Sequence, residues 1–133
     1  MDEGTIRGFP LIVIEGELEH STKEVVHDAV DEVLFGAYPP KQLLFDLTAC
    51  VFIDSGGLGV FVSALRQLPA DGWLGLIGAS AGIKRVLRYA GLLDIERVRF
   101  FASPREAVIS LDQVREGLRT AGPGGRKTDR DNG

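Results

Sequence analysis

The sequence predicts an α/β fold, a single domain in which helices pack on a largely parallel sheet. Strand patterns and helix patterns alternate through residues 42–118, which is typical of strand–helix units with parallel strands. The stretch Gln42–Leu47 is a continuous apolar run of the kind that is buried on both faces of a sheet. The helical segments carry apolar residues at steps of three and four, so one stripe of each helix can face the core.

Length and composition fit one globular domain. The chain has 133 residues, of which 44% are hydrophobic and 26% charged, and a domain of this size buries roughly two thirds of its unfolded surface. The net charge is −4 and there is no basic stripe for phosphates, so nucleic acid is not expected as a partner. An apolar run of eighteen residues and a leader pattern are both absent, so we expect no membrane partner and a cytoplasmic location. The single cysteine, Cys50, excludes an internal disulfide and suits a reducing compartment.

The N-terminal segment predicts one strand. Residues 5–8 show no clear pattern, whereas Phe9–Ile14 is a run of mostly apolar and β-branched residues. Pro10 has no N–H for a sheet ladder, so it is expected to confine this strand to an edge or to a break between two short strands. The acidic stretch Glu15–Glu19 follows the strand.

A first helix is predicted from the capping box STKE. Ser21 would accept the N–H of the third helical residue, and Glu24 would reach back to the N–H of the cap. Gly36 and the proline pair after it are expected to end this helix. Its apolar stripe consists of Val25, Val26, Ala29, Val30, Val33 and Leu34.

Three strand–helix units follow. Their strands are predicted at residues 42–47, 73–77 and 97–101. Their helices are predicted to begin at Ser55, Ser80 and Ser103, and the last of these opens a second capping box with proline at the first helical position. Gly91 supplies a left-handed stop for the middle helix.

The C-terminal segment differs in composition from the rest. From Thr120 the chain reads TAGPGGRKTDRDNG, which holds no apolar side chain beyond Ala121. Such a segment cannot offset the entropy lost on ordering. We therefore expect a domain over residues 1–119 and a disordered tail over residues 120–133.

The segment DLTACVFIDSGGLG is the most informative part of the chain. An apolar run ends there at Asp54-Ser55, and an amphipathic helix follows, so either residue could be the helix cap. Gly56 and Gly57 each cost roughly 0.5–1 kcal/mol against alanine in the first turn, and Leu58 stands where a capping box needs Glu. These broken local rules indicate a functional site with an exposed serine and glycines that leave room for a partner. The alternative is an ordinary turn that leads into a helix cap.

Catalytic and metal-binding alternatives fail on spacing. The sequence GLG that begins at Gly57 looks like the start of a dinucleotide fingerprint, but Val62 stands where the third glycine is needed. His20 and His27 are the only histidines, too few with Cys50 for a zinc set, and neither is placed as a base for Ser55. We therefore expect no catalysis, no cofactor and no metal site. A small nucleotide-binding or hydrolytic enzyme that uses the glycine turn is the least supported alternative.

Three segments together resemble the STAS domain family, and within it the anti-sigma factor antagonists. They are FDLTACVFIDSGGLGVFVSAL, the turn GELE, and IKRVLRYAGLLDIERVRFFASPREAV. The resemblance covers about residues 5–118, and its most specific part is the pattern DSxGLG that begins at Asp54. It implies a single α/β domain with four helices and a mixed sheet of about five strands.

The resemblance also implies a switch by partner exchange. The unphosphorylated protein would bind an anti-sigma factor serine kinase and thereby free a sigma factor; phosphorylation of Ser55 by that kinase would release it, and a serine phosphatase would reset it. The predicted partner-binding residues are Asp54, Ser55, Gly56, Gly57, Leu58, Glu17 and Glu19. The alternative is a non-phosphorylated STAS scaffold subunit of a stressosome-like or lipid-transport complex, in which Ser55 is only a cap.

Two positions depart from the family pattern that the resemblance brings in. The family often has a second Ser or Thr where this chain has Gly56, so Ser55 has no competing hydroxyl beside it. It commonly has Asp where this chain has Glu19. The basic residues Lys84, Arg85 and Arg88 either flank the partner surface or are solvated helix residues.

Overall fold

The computed structural model describes residues 2–120, with the side chains of residues 4–114. Its elements run from an N-terminal strand hairpin through alternating strands and helices to a long last helix that ends at Thr120. Apart from Thr120, the tail predicted over residues 120–133 lies outside the described residues, so the predicted domain boundary stays a prediction.

Seven strands within the described residues form two sheets. They are β1 (Asp2–Ile6), β2 (Phe9–Val13), β3 (Gly16–Leu18), β4 (Gln42–Asp46), β5 (Cys50–Ile53), β6 (Trp73–Ile77) and β7 (Val98–Phe101). The larger sheet has the order β1-β2-β4-β6-β7. Its first pair is antiparallel and the other pairs are parallel. The smaller sheet pairs β3 with β5 in parallel.

Four α-helices within residues 2–120 complete the fold. They are α1 (Lys23–Leu34), α2 (Ser55–Gln67), α3 (Ala81–Tyr89) and α4 (Pro104–Thr120), and a short 3-10 helix spans Leu92–Asp94. The mixed five-stranded sheet and the helices confirm the predicted α/β class. In the described part of the chain, no helix combines the length and the apolar character needed to cross a bilayer.

The larger sheet is buried on both faces, as the apolar run in β4 predicts. Successive strand residues point to opposite faces, so Leu43 and Phe45 join the core that contains the apolar residues of α1, α2 and α3. Phe45 meets Phe61 of α2 edge to face, with ring centroids 4.9 Å apart. Leu44 lies on the other face, in a smaller core with Trp73 of β6 and the first turns of α4.

The N-terminal hairpin corrects the prediction for this segment. β1 pairs with β2 through a two-residue turn in which Arg7 and Gly8 both have positive φ, 51° and 85°. Turns of this kind match the twist of a hairpin, but Arg-Gly is not their usual sequence signal. The prediction that Pro10 marks an edge or a break is wrong, since β2 lies between β1 and β4. Pro10 precedes the β2 residues that pair with β4, so no ladder bond on that side needs its N–H.

The capping box predicted for α1 is also wrong. The cap residue is Thr22 and not Ser21, and its side chain forms no cap hydrogen bond. Instead the Thr22 hydroxyl donates to the carbonyl oxygen of Glu17 at 2.8 Å and accepts from the N–H of Glu19 at 2.9 Å. The Thr22 hydroxyl thus bonds to backbone atoms at and just after the end of β3 instead of capping α1. Val25, predicted for the apolar stripe, is 57% exposed.

Candidate functional site

Strands β3 and β5 bring two distant segments together at the start of α2. Leu18 pairs with Ile53 in the small sheet, and the N–H of Asp54 donates to the carbonyl oxygen of Leu18 at 3.2 Å. The N–H of His20 in turn donates to the carboxylate of Asp54, which lies 34 positions away. Residues 17–20 and 51–58 therefore form one continuous region, which we call the α2-start surface.

Asp54 is the cap of α2, which decides between the two caps that the sequence allows. Its Oδ1 accepts the N–H of Gly57 at 2.9 Å, and its Oδ2 accepts the N–H of His20 at 3.2 Å. These bonds, above all the one from Gly57, lower the pKa of Asp54 below the usual value of an aspartate. The carboxylate is therefore ionised at neutral pH, and it joins the first turn of α2 to the segment between β3 and α1.

Ser55 is the first helical residue of α2, and its side chain is exposed. Among the described residues, none forms a hydrogen bond with the Ser55 hydroxyl, because Asp54 already occupies the cap position. A modifying enzyme can therefore reach this oxygen without breaking an internal contact. The predicted exposure of Ser55 is confirmed, and its phosphorylation stays a prediction.

The two glycines have a structural reason that differs from the predicted one. Gly57 is buried, and an added Cβ would overlap the carbonyl oxygen of Leu18 and lie 2.8 Å from its Cγ. A Cβ on Gly56 would lie 3.2 Å from both the Cα of His20 and the Oδ1 of Asp54. The missing side chains thus make room for this chain's own β3–α1 segment. The expectation that they leave space for a partner is corrected for Gly57, which a partner cannot touch directly.

The remaining predicted partner residues lie around the same helix start. Glu17 is exposed and stands opposite Phe52 in the small sheet. Glu19 is half-buried, and its Oε1 accepts the hydroxyl of Ser21 at 2.6 Å. Leu58 is half-buried and packs against the main core, so only part of its side chain can serve a contact. The fold therefore places Glu17 and Glu19 on the segment that borders the start of α2, and their role in partner binding stays a prediction.

Two further residues of this surface were missed by the sequence analysis. Val51 is 71% exposed and its neighbour Phe52 is 46% exposed, although both are apolar and consecutive in β5. The register explains this: Gly16 pairs with Cys50 and Glu17 with Phe52, so Val51 has no partner in β3. Such a bulge breaks the alternation of faces. The sequence offers no signal for this exposure, because the segment CVFI is apolar throughout and has the pattern of a buried strand.

The basic residues of α3 divide into two groups. Lys84 is half-buried, and its Nζ lies 4.4 Å from the centroid of the Phe100 ring, so it has a packing role. Arg85 and Arg88 are exposed and line a shallow open pocket with Tyr89. Helix α3 contacts β5, which places these cations on an element next to the α2-start surface.

Potential metal ligands and thiols form the last group of side chains at this site. Within residues 4–114, no group of three or more His, Cys, Asp or Glu residues could hold a metal ion. Cys50 is buried beside the surface, its Sγ lies 3.6 Å from the carbonyl oxygen of Phe52, and burial raises the pKa of its thiol. Cys50 is therefore a neutral packing residue.

Comparison with known proteins agrees with the architecture. A profile of the STAS domain matches residues 4–107. An anti-sigma-B factor antagonist of Listeria monocytogenes is 34% identical over 92 residues, which cover 66% of this chain and 76% of that protein.

Solved structures are similar over most of the chain. A putative anti-sigma factor antagonist from Thermotoga maritima superposes with a TM-score of 0.72 and 24% identity, covering 86% of this chain and 93% of that one. The Bacillus cell fate determinant SpoIIAA in its phosphorylated form superposes with a TM-score of 0.63 and 24% identity, covering 86% of this chain and 98% of that one. At these identities the likeness concerns the fold.

Proposed function

The chain belongs to the STAS domain family, and from this premise we propose that it is an anti-sigma factor antagonist controlled at Ser55. The support is the 34% identity to a protein named as an anti-sigma-B factor antagonist. Antagonists of this family are regulators and not enzymes, which agrees with the sequence prediction that the chain has no catalytic activity.

The proposed cycle has two states. The unmodified protein binds an anti-sigma factor serine kinase in the bacterial cytoplasm, and the sigma factor held by that kinase is released. The kinase then transfers the γ-phosphoryl group of ATP to the Ser55 hydroxyl, which loses its proton, ADP is released, and the modified protein dissociates. A serine phosphatase removes the phosphate and restores the binding state.

One observation carries the proposal for Ser55. Its hydroxyl is exposed and, among the described residues, has no hydrogen-bond partner, while Asp54 caps the helix in its place. Phosphorylation of Ser55 therefore removes no cap and breaks no internal contact. The fold can carry the modification, which is what a reversible switch needs.

Inside the protein, two electrostatic effects of the phosphate oppose each other. A phosphoserine carries about −1.5 to −2 charges at neutral pH. The N–H groups and dipole at the start of α2 stabilise an anion by about 0.3–1 kcal/mol. The ionised carboxylate of Asp54, one residue away, repels it. Since these two effects roughly offset, the modified domain is expected to keep its fold.

At the partner interface the effect is large. A phosphate forced into a close contact without a counter-charge costs on the order of 2–5 kcal/mol. At about 1.4 kcal/mol per tenfold change, this weakens binding roughly thirty-fold to several thousand-fold. Such a loss switches binding off without a large conformational change.

The site of modification is tested by phosphorylation in vitro. The anti-sigma factor kinases of the source organism are purified and incubated one by one with this protein and labelled ATP. The control variant is Ser80→Ala, because Ser80 is also an exposed serine at a helix start. The wild type and Ser80→Ala are expected to be labelled equally. Ser55→Ala is expected to remain unlabelled. Equal labelling of Ser55→Ala would refute the assignment.

The function itself is tested by binding. Ser55→Asp is expected to abolish binding to the kinase that the wild type binds, whereas Ser80→Asp leaves it nearly unchanged. Retained binding of Ser55→Asp would instead favour the scaffold alternative, in which Ser55 carries no signal.

A further inference from the structure

We propose that Val51 and Phe52 form an apolar anchor by which the unmodified protein docks into an apolar cleft with a basic rim on its anti-sigma factor. This inference rests on the proposed function and deepens it. It names the side chains that supply the affinity, whereas Ser55 supplies only the control.

The anchor is a product of the bulge in β5. In a regular strand with one buried face, one of two consecutive side chains points to the core. Here the core takes Cys50 and Ile53, while Val51 and Phe52 are left 71% and 46% exposed. Single exposed apolar residues are ordinary, but two adjacent ones held on a bulged strand beside a modification site indicate a contact surface. Aromatic residues are also those enriched as interface hot spots.

The rim of the anchor defines the chemistry of the partner. Glu17 stands directly opposite Phe52 in the small sheet and is exposed. Asp54 follows two residues after Phe52, and its pKa is lowered by the backbone N–H of Gly57. Glu19 follows the end of β3 and directly precedes His20, whose N–H donates to the carboxylate of Asp54. An apolar patch edged by carboxylates fits a cleft edged by Lys or Arg, and like charge on the partner would repel it.

The position of the anchor explains why one phosphate is sufficient. Ser55 follows Phe52 by three residues, so their Cα atoms are at most about 10 Å apart along an extended chain. A phosphate on Ser55 therefore lies at the border of the apolar contact. The basic groups of the rim are already paired with Glu17, Glu19 and Asp54. The cleft must therefore desolvate the phosphate without a counter-charge of its own in order to bury Phe52. Docking is then lost although the anchor itself is unchanged.

The anchor is tested with two matched phenylalanine variants. Phe52→Ala is expected to weaken binding to the anti-sigma factor kinase at least about thirty-fold, the loss typical of an aromatic hot spot. Phe35→Ala is the control, because Phe35 is 71% exposed at the end of α1 and outside the α2-start surface. It is expected to bind within about three-fold of the wild type. Circular dichroism and thermal melting check that both variants fold.

Two variants of opposite charge at Val51 distinguish a loss of partner contact from a loss of folding. Val51 is 71% exposed, so the fold tolerates a charged side chain there. Val51→Lys is expected to lose more affinity than Val51→Glu. The Lys and Arg residues at the rim of the cleft would repel a lysine at this position and attract a glutamate. Equal affinity of the two variants, or a weaker Val51→Glu, would contradict the basic rim.

The outcomes distinguish the anchor from the function on which it rests. If Phe52→Ala and Val51→Lys bind like the wild type while Ser55→Asp does not, the anchor is refuted and the proposed function stands. If the wild type binds none of the anti-sigma factor kinases, the proposed function fails and the anchor fails with it. A selective loss in Phe52→Ala, with Phe35→Ala unaffected, supports both.

Discussion

The starts of α2 and α3 have nearly the same residue types and use their serines in opposite ways. At α3, Ser80 is the cap, and its Oγ accepts the N–H of Ile83 at 3.2 Å. Ser103 does the same for α4, where its Oγ accepts the N–H of Glu106 at 3.1 Å. At α2, Asp54 takes the cap and Ser55 becomes the first helical residue. A shift of one position thus frees a hydroxyl that the other two helices need.

This difference shows that an exposed serine at a helix start is not by itself a switch. Ser55 and Ser80 are both exposed, but a phosphate on Ser80 would be attached to the oxygen that accepts the N–H of Ile83 in the first turn of α3. A phosphate on Ser55 leaves the Asp54 cap intact. The second contrast is packing, since the start of α2 is pressed against β3 while the start of α3 has open space around Gly82.

The largest expected effect tests the packing contrast. Gly57→Ala would press a methyl group into the carbonyl oxygen of Leu18, a backbone atom that cannot move freely, and overpacking of this kind costs about 1–3 kcal/mol or more. Gly82→Ala meets no atom within 4 Å and is expected to gain up to about 1 kcal/mol from helix propensity. Urea unfolding of both variants measures the difference. Equal stability of the two would contradict the close approach of α2 and β3.

The next effect compares the two caps. Ser80→Ala removes one accepted N–H and is expected to cost about 1 kcal/mol. Asp54→Ala removes two acceptors and also cuts the link to His20, so it is expected to have the lower melting temperature of the two. Thermal melting at neutral pH decides the order, and a higher melting temperature for Asp54→Ala would show that the His20 link contributes nothing.

A third comparison distinguishes the Asp54 cap from the Ser80 cap by the pH dependence of the stability that each contributes. The pKa of Asp54 is lowered in the folded protein, so its contribution to stability is present above the ordinary aspartate pKa of about 3.9 and is lost as the pH falls through the folded value. Asp54→Asn keeps an acceptor oxygen but does not titrate. The stability difference between wild type and Asp54→Asn is therefore expected to shrink on acidification, whereas the difference for Ser80→Ala stays constant. Denaturant unfolding at neutral pH and near pH 3 measures both.

The smallest effect is expected at Ser55 itself. Ser55→Ala removes a hydroxyl that, within the described residues, has no partner, so its stability is expected to lie within about 0.5 kcal/mol of the wild type. Calorimetry of Ser55→Ala beside Ser80→Ala tests this. A loss at Ser55 as large as that at Ser80 would mean that its hydroxyl supports the helix, which would weaken the switch.

Much of the fold could be predicted from the sequence because its signals are local. The apolar run in β4, the serine caps at Ser80 and Ser103, and the stop at Gly91, whose φ is 79°, all lie where their local patterns indicate. The misses depend on distant partners. β1 forms because β2 is beside it, and the hydroxyl of Thr22 bonds to Glu17 in β3 instead of capping α1.

In the candidate site, too, some features follow from local sequence patterns and others depend on distant segments. The pattern DSGG marked the helix start and the exposed serine, but both Asp54 and Ser55 satisfy the local rule for a cap, so sequence alone could not choose between them. In the structure Asp54 is the cap, because its carboxylate accepts the nearby N–H of Gly57, and it also accepts the N–H of His20 from a segment 34 positions away. Val51 and Phe52 look like core residues in the sequence, and only the register with β3 shows that both face outward.

The sequence by itself determined the layered α/β architecture and the position of the serine, because hydrophobic period, glycine and cap preferences act over a few neighbouring residues. The tertiary structure decided what that serine does. Pairing of β3 with β5 presses Leu18 against Gly57, brings the N–H of His20 to Asp54, and so gives the cap to the carboxylate. Within the described residues the Ser55 hydroxyl is left without a structural task, because the neighbouring carboxylate of Asp54 accepts the N–H of Gly57 and caps the helix in its place.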